Sequence, residues 1–190
     1  MTDRISLWGF VLAGGKSRRM GTNKALLVFH EKCLLQHMVG LIKPVCEKVF
    51  ISGQNNGYPD SDVEIVSDLY LGCGPIAGVH SSLMHTVSDW NLLISVDVPF
   101  INDELLHYLI SSIGESDCII PEHVMGVEPL IGLYRKQCLP VIEESIKSGD
   151  YKLTNLLSKL NTDYVDCNHL IKKHPRLFMN INCPEDYLSI

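Results

Sequence analysis

The sequence predicts an α/β fold with a mostly parallel central sheet flanked by helices, and three observations carry that prediction. Short apolar or β-branched runs recur at 7–12, 48–52, 63–66 and 92–96. Stretches with helical spacing or helix-start signals fall between them. Each run ends in turn-forming residues: Ala13-Gly14-Gly15 after the first, 53–57 after the second, Asp97 after the fourth. Strands alternating with helices over the first part of the chain imply right-handed βαβ units.

The elements follow in order. Residues 7–12 read as a buried strand running into a loop, and 33–43 carry apolar side chains at helical spacing. After the strand at 48–52, residues 53–57 break the pattern before the short strand at 63–66. Gly74-Pro75 opens a helix to about residue 85, with proline at a tolerated first-turn position. Asp97 directly follows the strand at 92–96. Asn102, Asp103 and Glu104 start a helix over 105–113, because acids favour the positive end of the helix. Segments 118–120, 130–134, 141–147 and 154–160 continue the alternation.

Composition narrows the function. The 190 residues fit one compact domain, 1–190, and 46% hydrophobic content supports a packed core. A formal charge of −6 argues against a nucleic-acid-coating protein, which needs a broad basic face. Seven cysteines, an odd number with no CxxC pair, read as reduced and mostly buried thiols. The eight histidines show no HExxH-type ligand pattern, and they and Trp8 and Trp90 read as packing or surface residues. The N-terminus lacks a signal-peptide pattern, and no stretch approaches the roughly 18 apolar residues of a membrane span, so a cytoplasmic setting is expected.

The chemistry concentrates at 12–24. Two adjacent glycines after a strand let the backbone approach a ligand with its N–H groups inward. Lys16, Arg18, Arg19 and Lys24 follow, and no acid occurs between Asp3 and Glu31. A basic, glycine-lined loop in an acidic chain is what a polyphosphate requires, although an isolated lysine here would read as a solvated turn. It is not a P-loop, since Gly15 and Gly21 are one residue too far apart and Thr22 stands where the lysine belongs. The superficially dinucleotide-like Gly72-Cys73-Gly74 has no strand running into it. Parallel sheets bind ligands at the carboxyl ends of their strands, which places the loop after Leu12, the loop after Ile51 and Asp97 on one edge.

The 12–24 segment resembles the signature of the molybdenum cofactor guanylyltransferase family of nucleotidyltransferases (molybdopterin-guanine dinucleotide biosynthesis protein A), LAGG-x-S-x-R-M-G-x-x-K. It matches at Leu12, Ala13, Gly14, Gly15, Ser17, Arg19, Met20, Gly21 and Lys24. The resemblance continues through Asp68 and the 74–78 stretch, the D-x-P segment at Asp97 and Pro99, Glu128-Pro129-Leu130 as a short substrate-side motif, and the closing 178–186 stretch. Ser52 stands where asparagine is frequent, and Cys183 where threonine is usual.

The resemblance implies a three-layer Rossmann-like nucleotidyltransferase fold. It implies transfer of GMP from GTP to a molybdopterin-type cofactor, with pyrophosphate released and Mg²⁺ as the metal. Lys24, Arg19 and Asp97 are the expected catalytic residues, with Asp97 also the metal ligand. Leu12, Ala13, Gly14, Gly15, Lys24, Ser52, Asp68 and Asp97 are the expected nucleotide site, and Asn180 and Asn182 the expected second-substrate residues. Transient contact with cofactor-delivery and acceptor proteins is implied as well. A CTP-dependent enzyme of the same cofactor, a sugar-1-phosphate nucleotidyltransferase and a non-catalytic nucleotide-binding adaptor are the competing readings.

Overall fold

A computed structural model describes residues 6–14, 23–54, 58, 62–182 and 186. Its centre is a twisted sheet. Strand β1 (Leu7–Leu12) is buried along its whole length. A small antiparallel pair follows, β2 (Val28–Phe29) and β3 (Lys32–Cys33). Helix α1 (Leu34–Ile42) begins where the Gln36 side chain accepts a hydrogen bond from the Cys33 N–H at 3.2 Å, satisfying a donor the helix leaves open. Strands β4 (Lys48–Ser52) and β5 (Ile65–Val66) then pair parallel, outward from β1.

Helix α2 (Pro75–His85) leads to β6 (Trp90–Ser95), which pairs parallel with the opposite side of β1. Asn102 caps α3 (Asp103–Ser111), its side chain accepting from the Leu105 N–H, with Asp103 and Glu104 in the first turn as expected. Strand β7 (Cys118–His123) turns back into the short β8 (Gly126–Val127), and β9 (Ile131–Arg135) inserts antiparallel between β6 and β7. Helices α4 (Leu139–Lys147) and α5 (Leu153–Leu157), strand β10 (Thr162–Asp166) and helix α6 (Asn168–Lys173) complete the elements. The strand order is β10-β7-β9-β6-β1-β4-β5, with β8 on β7.

Alternation along the strands sends side chains to two cores. Phe10, Leu12, Phe50 and Leu93 pack with Ile76 and Leu83 of α2, Ile142 of α4 and Leu156 of α5. Val11, Ile51, Leu92 and Ile94 pack with Met38 of α1, Leu105 of α3 and Leu170 of α6. The sheet is therefore the middle of three layers, as expected. Trp8 and Trp90 are buried packing residues. The six described cysteines are free, and burial pushes the thiols of Cys46, Cys118, Cys138 and Cys167 upward, to about 12 for Cys46.

The sequence reading departs from the structure in the second half. The segment after α3 is not a further parallel repeat, because β7, β8 and β9 run as an antiparallel excursion within the sheet. Strand β10 carries no apolar alternation, since only Val165 of its five residues is buried at this sheet edge. Among the described residues, no helix is long and apolar enough to cross a membrane.

Candidate active site

The strand order reverses at β1, which continues through β4 to β5 on one side and pairs with β6 on the other. Ligands of open parallel sheets sit in the crevice where such a reversal occurs, outside the carboxyl ends of the strands. A cavity of about 720 Å³ lies there. Its wall takes Leu12 and Gly14 from β1 and the turn beyond it, Ser52 from β4, Asp68 beyond β5, Gly74 and Gly78 from the start of α2, and Ser95 and Asp97 from β6 and its exit.

Backbone contacts weld these strand ends together. The Ala13 N–H donates to Ser52 O at 2.8 Å, Gly53 N–H to Val66 O at 2.9 Å, and Val96 N–H to Leu12 O at 3.1 Å. Gly53 has φ +150°, and a Cβ built there would stand 3.0 Å from Gly14 N. Two loops pass here with no room for a side chain. Gly78 plays the same part for α2, since a Cβ there would meet Ser52 Oγ at 3.3 Å.

Lys24 opens a short 3-10 turn, Lys24–Leu26, whose cap is Asn23, its side chain accepting from the Ala25 N–H at 3.1 Å. Its ammonium lies 3.9 Å from Asp97 Oδ2 and donates to Asn182 Oδ1 at 2.8 Å. The other Asp97 oxygen accepts from the Ser95 hydroxyl at 2.5 Å. The chain beyond α6 is tied to the same place, because the Ile181 N–H donates to Asp97 O at 2.8 Å. Two residues 158 apart in sequence, Lys24 and Asn182, thus meet beside Asp97.

The expected residues divide as follows. Leu12, Gly14, Ser52, Asp68 and Asp97 line the cavity, Lys24 lies beside Asp97, and Asn182 holds Lys24. Ala13 stands behind the wall, buried, with its carbonyl accepting from the Tyr58 hydroxyl at 3.4 Å. The Ser52 hydroxyl donates to Gly78 O at 3.3 Å, tying the end of β4 to α2. Asn180 lies in the same C-terminal segment, half-buried. Gly15 and Arg19, with Lys16, Arg18 and Cys183, fall outside the described residues.

Asp68 is half-buried, and burial raises its carboxyl above the usual range. Its Oδ1 is buried with no hydrogen-bond partner among the described residues. The wall also holds residues that the sequence did not single out as contacts, Gln54, Tyr70, Leu71, Gly72 and Ser95, together with Leu130 of the 128–130 stretch. Gly72 and Gly74 have φ of +82° and +73°, so this glycine spacing, which follows no strand, forms part of the cavity wall.

Among the described residues no group of three His, Cys, Asp or Glu side chains is arranged to hold a metal. Asp97, which lines the cavity, is a carboxylate oxygen donor of the kind that hard divalent cations take.

A parallel-sheet cleft with a glycine-lined floor and a lysine–carboxylate pair defines the class as nucleotidyltransferase. The "MobA-like NTP transferase domain" family matches residues 9–164, and the chain belongs to that family. It is 34% identical over 185 residues to a probable molybdenum cofactor guanylyltransferase of Pelotomaculum thermopropionicum, covering 95% of this chain and 90% of that one. It is 32% identical to the molybdenum cofactor guanylyltransferase of Vibrio parahaemolyticus, covering 93% and 90%. The structure of molybdopterin-guanine dinucleotide biosynthesis protein A from Archaeoglobus fulgidus superposes with a TM-score of 0.81 at 28% identity, covering 96% of this chain and 95% of that one.

Proposed function

We propose that the protein transfers GMP from GTP to the terminal phosphate of a molybdopterin-type cofactor and releases pyrophosphate. The observation that carries this reading is the meeting of Lys24 and Asp97, 3.9 Å apart, in a glycine-walled cleft at the switch point of the sheet.

An oxygen of the acceptor phosphate attacks the α-phosphorus of GTP, and the bond from that phosphorus to the β-bridging oxygen breaks. The second pKa of a phosphate monoester is about 6, so the nucleophile is already ionised at neutral pH. No protein base is needed. What remains for the protein is positioning and charge neutralisation. Lys24, aided by Arg19, stabilises charge on the triphosphate and on the departing pyrophosphate. Asp97 would hold Mg²⁺, which would supply Lewis-acid polarisation to the phosphates. The Ser95 hydroxyl fixes one Asp97 oxygen and leaves the other facing Lys24.

Two further features support a nucleotide in the cleft. Asp68 Oδ1, buried without a partner, is an acceptor that a donor group on the nucleoside would satisfy. Asn182 touches Lys24 from the C-terminal segment, where it can sense the second substrate against the first. The test is pyrophosphate release measured with each of the four ribonucleoside triphosphates, with and without molybdopterin. Release confined to GTP plus molybdopterin is expected. Release with CTP instead would reassign the nucleotide, and tight nucleotide binding without turnover would make the protein an adaptor.

A further inference from the structure

Lys24 and Asp97 are carried by separate segments, and the chemistry above requires them to keep one spacing. Lys24 precedes the β2–β3 hairpin, and Asp97 sits in the turn that leaves β6. Such a turn has no strand ladder to hold it, and its carbonyls are taken one by one. Asp97 O accepts from the Ile181 N–H at 2.8 Å, and Val98 O accepts from the Ile101 N–H at a long 3.5 Å. Pro99 is buried, and its carbonyl accepts from a side chain, the Nε2 of His37 at 2.9 Å. A carbonyl can only accept, so His37 Nε2 carries a proton.

His37 lies in α1, half-buried. Its ring leans on Phe29 of β2, with centroids 4.7 Å apart, and Phe29 meets Phe100 edge-on at 5.5 Å. The Arg176 guanidinium covers the Phe100 ring at 4.5 Å. Phe29 belongs to the hairpin that follows Lys24, and Phe100 directly follows Pro99. The cluster therefore ties the segment after Lys24 to the turn that holds Asp97, and His37 supplies a directed hydrogen bond within it. Aromatic contacts alone would let the turn slide, whereas a hydrogen bond to one carbonyl sets its place.

We propose that His37 is a positioning residue of the transfer reaction: by holding Pro99 O it fixes the turn on which Asp97 presents its carboxylate. Without that donor the buried Pro99 carbonyl is left unsatisfied, and the turn gains by moving toward water. A displacement of about 1 Å at a reacting site can cost about a hundredfold. The assignment rests on the nucleotidyl-transfer reading above and adds to it a residue that stands outside the cavity.

The experiment measures GTP affinity with Mg²⁺ and with EDTA, the ratio being the gain due to the cation. His37→Phe keeps a ring against Phe29 and removes the donor, and His37→Leu is a second donorless variant should the first not fold. His37→Gln keeps an N–H donor near Nε2, and Asp97→Asn is the reference that lacks the carboxylate. The donorless variant should cut the gain by about fivefold or more, with affinity in EDTA unchanged within about twofold, and His37→Gln should recover about half of the lost gain or more. On an Asp97→Asn background the same change should alter affinity by less than about twofold, because the group it acts through is gone. An undiminished gain, an equal loss with and without the cation, no recovery in His37→Gln, or additive losses with Asp97→Asn would overturn the proposal, as would a wild type that gains nothing from Mg²⁺. Pyrophosphate release is scored separately. Its absence in a wild type whose gain depends on His37 would sink the transferase reading and leave the positioning role standing.

Discussion

On the β4–β5 side of the cleft backbone meets backbone. Gly53 lies against Gly14, Gly78 lets α2 approach Ser52, and the strand ends are joined by main-chain hydrogen bonds. Around Asp97 and the β7–β9 strands the contacts are instead between side chains. Lys24 reaches Asn182, His123 reaches Glu128 across the hairpin, and Phe178 covers His123. The first wall has a shape that depends on the absence of atoms, and the second depends on particular polar groups holding one another. Substitutions should therefore act differently on the two sides, through steric loss of the pocket on one and through lost alignment on the other.

Lys24 is where the two walls meet, and its removal is expected to have the largest effect. Lys24→Ala should lower kcat by about a hundredfold or more, the usual cost of losing a group that stabilises transition-state charge. The melting temperature should stay close to that of the wild type, since only a long side chain at the cleft is removed. Single-turnover kinetics with saturating GTP and acceptor separate this from a binding defect. Normal turnover would show that the ammonium beside Asp97 is a structural tie.

Gly53 tests the backbone wall. Gly53→Ala places a methyl at 3.0 Å from Gly14 N at a φ of +150°, so either strain or displacement follows. A loss of about 1–3 kcal/mol in stability is expected, with weaker nucleotide binding in parallel. Thermal unfolding and a nucleotide titration check both. Retained stability with full affinity would mean that the two loops separate freely and that their contact is incidental.

How much of this could be read in the sequence follows the same division. Gly14, Lys24 and Asp97 were legible because a short motif at a strand end implies its own geometry. The rule that such sheets bind at their carboxyl ends placed the loop after Ile51 beside Asp97, whereas Ser52 and Asp68 came from the family resemblance. The β7–β9 side was not legible in that way. The antiparallel return through β8 interrupts the alternation, and β10, exposed at the sheet edge, lacks a burial pattern. His37 read as an ordinary packing residue, because nothing in 33–43 says that its ring will meet the Pro99 carbonyl. Asn182 had a plausible local role as well, and it does fill one, its N–H donating to Asp186 at 2.7 Å while its side chain accepts from Lys24.

That double duty makes Asn182 the next measurement. Asn182→Ala removes the acceptor that holds the Lys24 ammonium but leaves the backbone link to Asp186. The Michaelis constant for the acceptor should rise by about tenfold, with a smaller change for GTP, as befits loss of one charge-assisted hydrogen bond. Equal changes for both substrates would place Asn182 with the nucleotide wall.

The smallest effect is expected at Asp68, and it appears as a pH dependence. Burial raises this carboxyl, so the folded protein holds its proton to a higher pH than the unfolded chain does. Between the ordinary carboxylate range and the raised value, stability must fall as pH rises, because the folded state is the one losing a proton it preferred to keep. Asp68→Asn removes that slope. The two proteins should unfold alike below about pH 4, and the variant should be the more stable at neutral pH by less than about 1 kcal/mol, the group being only half-buried. Thermal unfolding from pH 4 to 8 measures the difference. A wild type that gains on the variant as pH rises would mean that Asp68 has a favourable partner in the free protein, and Oδ1 would no longer be an acceptor kept open for the nucleoside. If the slope is present and shrinks on saturation with GTP, the ligand has supplied the missing donor, and the nucleotide wall contains one polar contact among its glycines.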